Sequence, residues 1–417
     1  MNHIIAYIDQ IANVCRMKRL FSVILLLLLI GCNTIENKIG HFFDKKSNKN
    51  PKLIALPSKN PLEAKIAVFL PLSGKYQYLG QSILDSIQLA LYELRDDNIT
   101  YKAIDVGSDS ISAQKVMENV KLDDIDIVLG PVFKDQAEHI YKQAKKNNIP
   151  MITYSNDLDL MNMQGLYIFD IISSQQIKKV VQYASSKQYS NIYSVAPKNK
   201  YGDFVEKTLL ENMGADHYNV KKVSLYTASD IPVVKRFTLS DAILGIKSSV
   251  RGDIANKIPG FGDPAILLPE QNNNLINVVN QLQFLHSSND PKYKILGIGD
   301  WRRYSLTQNI ITQKAWVADI PHKTLSEFDS RFQDNYKYTP PRIAAIAYDS
   351  IMLISAIINK ANSGIILKFE ELERTDGYQG ITGAFRLKSN GVNDRLFSVY
   401  EYKKGAMKEI SPANNGF

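Results

Sequence analysis

From residue 65 onward the chain alternates short, fully apolar runs with segments of helical periodicity, and that pattern leaves few folds open. Ile66-Ala67-Val68-Phe69-Leu70 is continuous apolar sequence ending at Pro71. Such a run fits a strand buried on both faces, as in a parallel sheet. Leu84, Ile87, Leu91 and Leu94 follow at helical spacing. Further strands are expected at 101–106, 125–129, 150–154 and 166–169, with helices at 111–120 and 136–147 between them. A second cycle places strands at 191–195, 220–226, 265–268, 294–297 and 315–318. Its helices are expected at 173–185, 201–213, 275–285, 325–336 and 343–358. The tail reads as two antiparallel strands, 383–387 and 395–402, around Ser389-Asn390-Gly391. Alternation of this kind is α/β, with parallel sheets covered on both faces by helices. Two successive units predict two Rossmann-like lobes with a cleft. Ligands of such sheets bind beyond the carboxyl ends of the strands.

The N-terminus has a different grammar. Lys18 and Arg19 precede an eleven-residue apolar run, Leu20–Ile30, which ends Gly31-Cys32. About 20 residues are needed to span a bilayer, so the run fits the core of a secretory signal. The ending resembles the lipobox of bacterial lipoproteins. That resemblance implies a signal peptide over residues 1–31, with Met17 a plausible true start, and acylation of Cys32. Asn33 weakly favours the outer membrane over the inner. Residues 32–63 are polar, carry Lys38, Lys45, Lys46, Lys49, Lys52 and Lys59, and read as a flexible tether. The expected location is therefore the periplasmic side of the envelope, through a lipid.

Composition narrows the chemistry. The chain has 417 residues, a net charge of +8, 45% hydrophobic residues and two cysteines, Cys15 and Cys32. That excludes wholesale disorder, a disulfide scaffold and a four-thiolate metal site. Part of the positive charge belongs to the signal and tether. The globule is then near neutral, and nucleic acid drops out as a partner. The six histidines show no metal-ligand spacing. Neither the nucleophile elbow nor the phosphate-binding P-loop occurs. Pro259-Gly260-Phe261-Gly262-Asp263 precedes a strand and lacks the dinucleotide pattern, and Arg251-Gly252-Asp253 is a chance match to an adhesion tripeptide. No enzyme, metal or cofactor is expected. Asp300-Trp301-Arg302-Arg303 follows a strand and joins a carboxylate, an indole and two guanidinium groups. It suits a polar ligand or a partner surface equally with an ion pair packed on Trp301 at a domain edge.

Several segments resemble the type I periplasmic binding proteins, the leucine-binding protein superfamily. They are 66–74 with Ser73, Ile127 to Pro131, Asn148 to Asn156, Tyr201-Gly202 and Ala347 to Ser350. Two more resemble penicillin-binding protein activators: Leu296 to Trp301, and Gly377 to Arg386 followed by Asn390-Gly391 and Arg395. The resemblance implies two lobes joined by three crossovers near Phe169, Pro321 and Tyr378. Lobe 1 would be 64–170 plus 321–378, and lobe 2 would be 171–320 plus 379–412. It also implies where a ligand would sit. Lys134 stands where the leucine-binding branch has a carboxylate-holding serine. Ser155-Asn156-Asp157 stand where small and hydroxyl residues bind the amino acid, and the tyrosine is kept as Tyr201. Lys134 is expected to meet an anionic group or to close the cleft with Asp157. The cleft candidates are Ser73, Lys134, Ser155, Asn156, Asp157, Tyr201, Asp300 and Trp301. Two functions follow: a non-enzymatic activator docking on a penicillin-binding protein, or a solute-binding lipoprotein delivering a small polar ligand to an ABC permease.

Overall fold

The structure is a computed structural model that describes residues 63–95, 98–214, 218–227, 239–255, 262–287, 292–304, 306–361, 369–414 and 416–417. The expected signal, the tether and Cys32 lie outside the described residues, as does most of the loop at 259–263.

Five parallel strands form the first sheet: β1 (Ala64–Leu70), β2 (Ile99–Asp105), β3 (Ile127–Leu129), β4 (Met151–Thr153) and β5 (Leu166–Ile168), in the order β2-β1-β3-β4-β5. The apolar run in β1 is explained by its two faces. Ile66, Val68 and Leu70 enter one core, and Ala67 and Phe69 enter the other. Burying each large apolar side chain contributes about 1.5–3 kcal/mol. Helices α1 (Gln77–Leu94), α2 (Ser110–Asn119) and α3 (Lys134–Lys146) connect the strands. Gly130, at φ +83° after β3, sits where a Cβ would lie 2.1 Å from the carbonyl oxygen of Phe69, so only glycine lets these loops pack.

The second sheet holds β6 (Asn191–Pro197), β7 (Asn219–Tyr226), β8 (Pro264–Leu268), β9 (Lys294–Ile298) and β10 (Ala315–Asp319), all parallel. Its helices are α4 (Ser173–Ser186), α5 (Lys200–Asn212), α6 (Leu239–Ala255) and α7 (Asn272–Phe284). The sequence reading passes over α6, although Ala242, Ile243, Ile246 and Val250 are buried together at helical spacing. After β10 the chain returns to the first core through α8 (His322–Tyr336) and α9 (Arg342–Ala361), which contribute Leu325, Phe328, Phe332, Ile346 and Ile354 to it. A short helix, α10 (Phe369–Leu372), follows.

The tail departs from expectation. A third sheet pairs β11 (Tyr378–Gly380), β12 (Gly383–Leu387) and β13 (Asn393–Arg395) antiparallel. The partner of β12 is thus the short β13, not a strand at 395–402. Gly391, at φ +80°, closes the hairpin, and the Asn393 amide donates to Ile168 O and Asp170 O, both at 2.8 Å, which pins β13 to the first sheet. Phe385, Leu387 and Phe397 belong to the first core. Residues 379–397 therefore pack with the first lobe, and the third passage falls at 396–397 rather than near Tyr378. Only β14 (Ser398–Lys403) and β15 (Ala406–Ser411) join the second sheet, β14 antiparallel to β10 and β15 antiparallel to β14.

Candidate functional site

The loops beyond the strand ends meet in a pocket of about 300 Å³. The first lobe supplies Asn156, Asp157 and Asp159 from the loop after β4. The second supplies Ser173 at the start of α4, and Lys200, Tyr201 and Phe204 from the first turn of α5. Three expected residues, Asn156, Asp157 and Tyr201, line it together.

The wall on the first lobe is largely satisfied from within. Lys134 begins α3 and holds Asp159 with Nζ 2.5 Å from Oδ2. That hydrogen bond raises the lysine above its ordinary range and holds the carboxyl of Asp159 below its own. The expected pairing of Lys134 with Asp157 is corrected: Asp157 Oδ1 instead accepts from the Asp159 backbone N–H at 2.9 Å, capping the turn at 158–160. Ser155 is buried, and its Oγ accepts from the Asp157 backbone N–H at 3.2 Å. Asn156 is exposed. Ser73 is exposed beside Asp105 rather than in the pocket lining. Burial pushes the Asp105 carboxyl up, but the Ser73 hydroxyl and the backbone N–H groups of Gly107 and Leu72 outweigh it and hold it below its ordinary range.

On the second lobe, the Tyr201 hydroxyl donates to Pro269 O at 2.6 Å. Burial pushes its phenol up to about 12, so it stays a donor. Asn199 caps α5 by accepting from the N–H groups of Tyr201 at 3.0 Å and Gly202 at 3.1 Å. Glu270, next to Pro269, went unnoticed in the sequence. It is 3% exposed, accepts from the Tyr226 hydroxyl at 2.6 Å, and burial raises its carboxyl. Its signal was a lone carboxylate two residues after the apolar β8.

Asp300 and Trp301 lie elsewhere, Asp300 on a seam between the lobes and Trp301 in the core of the second lobe. Trp301 is fully buried, and its indole N–H donates to Ile298 O at 3.2 Å. Its ring lies over Gly297, where a Cβ would come within 2.1 Å of Cζ2. Trp301 is therefore core, which corrects its expected place at the ligand face. Asp300 is a positioning residue. It accepts from Arg302 Nε at 2.8 Å and Nη2 at 2.7 Å, and Arg303 Nε lies at 3.5 Å. So oriented, Arg303 reaches the first lobe, donating to Pro340 O at 3.2 Å and Asp329 Oδ2 at 3.1 Å. Arg342, at the start of α9, crosses the other way to Asp319 at the end of β10. Asp319 is fully buried and also holds His322 Nε2 at 2.9 Å. Burial pushes the Asp300 carboxyl up, but Arg302 in bond and charge, with His322 and Arg342, holds it well below the carboxylate range.

Ligand atoms of Asp300, Asp319 and His322 lie within 4.8 Å of one another, as a metal site would need. The donor set does not fit one. The carboxylates already face Arg302, Arg303 and Arg342, and a cation would have to displace or sit against those guanidinium groups.

A parallel and a mixed sheet joined by three passages, with the pocket beyond the carboxyl ends of their parallel strands, define the architecture. Residues 63–263 match the family described as Periplasmic binding protein. The chain carries the type I periplasmic binding protein fold. A branched-chain amino acid ABC transporter assignment belongs to one similar structure, from Rhodospirillum rubrum, at TM-score 0.67 and 15% identity, covering 84% of this chain and 100% of the other. An uncharacterized protein of Rickettsia prowazekii, RP748, is 24% identical over 372 residues, spanning 86% of this chain and 91% of that one. Penicillin-binding protein activator LpoA of Vibrio antiquarius is 24% identical over 145 residues, 33% of this chain and 24% of that one. The chain thus matches about a quarter of the length of that activator.

Proposed function

We propose that this is a non-enzymatic envelope lipoprotein, anchored through Cys32, that docks on a penicillin-binding protein and biases its peptidoglycan synthesis. The observation that carries it is the seam: Arg303 to Asp329 and Pro340, and Arg342 to Asp319, tie lobe to lobe directly. A module tied this way presents a fixed two-lobed surface to a partner, and an activator acts by favouring one state of that partner. The likeness to LpoA points in the same direction. The test is binding of the lipidated protein to the class A penicillin-binding proteins of its own bacterium, with glycan polymerisation as readout. Binding with faster polymerisation is expected. No binding to any of them sinks the proposal.

The pocket favours a second reading, a solute-binding lipoprotein of an ABC importer. Asp157 on one wall and Lys200 on the other suit a small polar ligand of about 300 Å³ or less. A thermal-shift screen with amino acids, peptides and muropeptides checks it. A shift expected for one class, abolished by change at Asp157, would favour this reading over docking.

A further inference from the structure

On the first lobe, the outer face of α1 differs in kind from that of α3. The inner face of α1 carries Ile83, Ile87, Leu89 and Ala90 into the first core. The outer face exposes Gln77, Tyr78, Gln81, Gln88 and Tyr92, with Tyr78 60% and Tyr92 75% exposed. None of these is charged, and the two carboxylates of the helix are already engaged. Asp85 is buried and accepts from Gln81 Nε2 and from the Tyr338 hydroxyl, both at 2.7 Å. Glu93 accepts from Arg331 Nε at 2.9 Å. By contrast α3 exposes Asp135, Glu138, Lys142, Lys145 and Lys146, a solvated face. Tyrosine without charge is the composition of a protein contact rather than of a solvated surface.

The order of the residues says what that contact is with. Read from either end, the face runs tyrosine, glutamine, leucine, glutamine, tyrosine: Tyr78, Gln81, Leu84, Gln88, Tyr92. The tyrosines stand seven residues either side of position 85, and the glutamines four before it and three after. A two-fold interface uses one patch twice, so residue i of one copy meets residue j of the other and j meets i. A helix face that reads the same both ways meets this condition when laid antiparallel on itself. Tyr78 then lies opposite Tyr92 of the second copy and Gln81 opposite its Gln88, each contact being made twice. A glutamine amide both donates and accepts, so it is its own complement. An uncharged face alone does not suffice: on α7 the exposed Asn273, Asn277, Asn280 and Phe284 do not read the same in reverse. We propose that α1 is the contact of a two-fold dimer, packed antiparallel on α1 of a second copy. Its eighteen residues make the face about 27 Å long. That is small against a standard interface, so a dissociation constant on the order of micromolar is expected. The contact involves neither the seam nor the pocket, and it stands whichever of the two functions holds.

The test is sedimentation of the full chain in detergent across a range of protein concentration, with charges placed at the paired glutamines. A monomer–dimer equilibrium is expected for the parent. Gln81→Lys with Gln88→Lys sets like charges opposite each other twice and should raise the dissociation constant at least about 10-fold. Gln81→Lys with Gln88→Glu sets opposite charges there and should restore the dimer, in a form that salt now weakens. In a parallel pairing each position would meet itself, and the second variant would repel as the first does. Circular dichroism checks that both variants are folded. Should either fail to fold, Tyr92→Ser decides: a weaker dimer supports the contact, and an unchanged one overturns it. A parent that stays monomeric at every concentration overturns the proposal. So does a dimer indifferent to both double variants, or one that both weaken alike. Loss of some other bound protein in the doubly basic variant, with no dimer in the parent, overturns the second copy as the occupant.

Discussion

On one flank of the cleft, Asp300, Asp319 and Asp329 meet Arg302, Arg303 and Arg342 between the two lobes. On the other flank, Asn156, Asp157 and Asp159 face Ser173, Lys200 and Tyr201 across about 300 Å³ of space. Both flanks lie beyond the ends of parallel strands, the seam drawing also on α8 and α9, and both carry acids on one side with bases nearby. They differ in burial. Asp319 is 0% and Asp300 3% exposed, whereas the Asp159 side chain keeps 63% of its surface in water. Charges taken out of water must be paired where they stand, so the seam can hold one geometry. Charges left in water are screened and cheap to rearrange, so the pocket can accept something else.

The largest effect should separate the flanks outright. Asp319→Ala strands Arg342 without its carboxylate and removes the partner of His322 Nε2. Breaking a buried pair from one side costs about 3–5 kcal/mol. Asp157→Ala removes only a cap on a short turn, worth about 1 kcal/mol. Urea unfolding of both variants checks the contrast, and equal losses would show that the flanks are not different in kind.

Acid should act on the seam next. The Asp300 carboxyl is held below its ordinary range, so the stability it contributes is present above about 3.8 and is lost as pH falls below that value. Asp300→Asn removes this dependence. Between pH 5 and pH 3 the variant should lose less stability than the parent, by about 1 kcal/mol at most. Urea midpoints at the two pH values measure it, and parallel losses would mean that Asp300 is not the group responsible.

How much of this was readable beforehand follows the distance over which each feature is determined. The apolar run of β1, the cap Asn199 ahead of Tyr201-Gly202 and the position of Asn156 and Asp157 after β4 are local, and periodicity finds them. The seam is not local. Arg342 and Asp319 are 23 residues apart, and Arg303 and Asp329 are 26 apart. No spacing rule links them until α8 turns the chain back. His322 reads as an isolated histidine, and only the fold stacks Tyr400 on it, with ring centroids 3.9 Å apart. Trp301 stayed open for a related reason. The indole next to Asp300 and two arginines suits a ligand platform or packing beneath an ion pair equally, and only the missing side chain of Gly297, which opens a slot in the core that the ring fills, decides for packing. The tail hairpin forms at the expected turn but with a different partner strand, because Asn393 spends its amide on the first sheet, which no local turn rule could anticipate.

Arg303→Ala refines the comparison by loosening the seam without leaving a buried charge behind. It removes the bonds to the partly exposed Asp329 and to Pro340 O, at about 1 kcal/mol. Its main expected effect is on geometry. With one of the direct ties gone, X-ray scattering should show a larger radius of gyration than the parent, and less of that increase at high protein concentration of a true docking partner. An unchanged radius would mean that Arg342 and Asp319 suffice to hold the lobes.

The smallest expected change belongs to Tyr201→Phe, and it bears on the pocket alone. The hydroxyl donates to Pro269 O within the same lobe, so its loss costs about 0.5–1.5 kcal/mol and leaves the seam untouched. The ring stays stacked near Phe204, with centroids 6.3 Å apart, so the shape of that wall is preserved. If the protein works by docking through a rigid two-lobed surface, partner binding should be unchanged in this variant while Arg303→Ala weakens it. If it works by holding a solute, the order reverses: Tyr201→Phe weakens solute binding through a displaced Pro269 loop, and Arg303→Ala changes chiefly how readily the cleft opens. Measuring both variants in both assays makes the difference between the flanks a decision between the two functions.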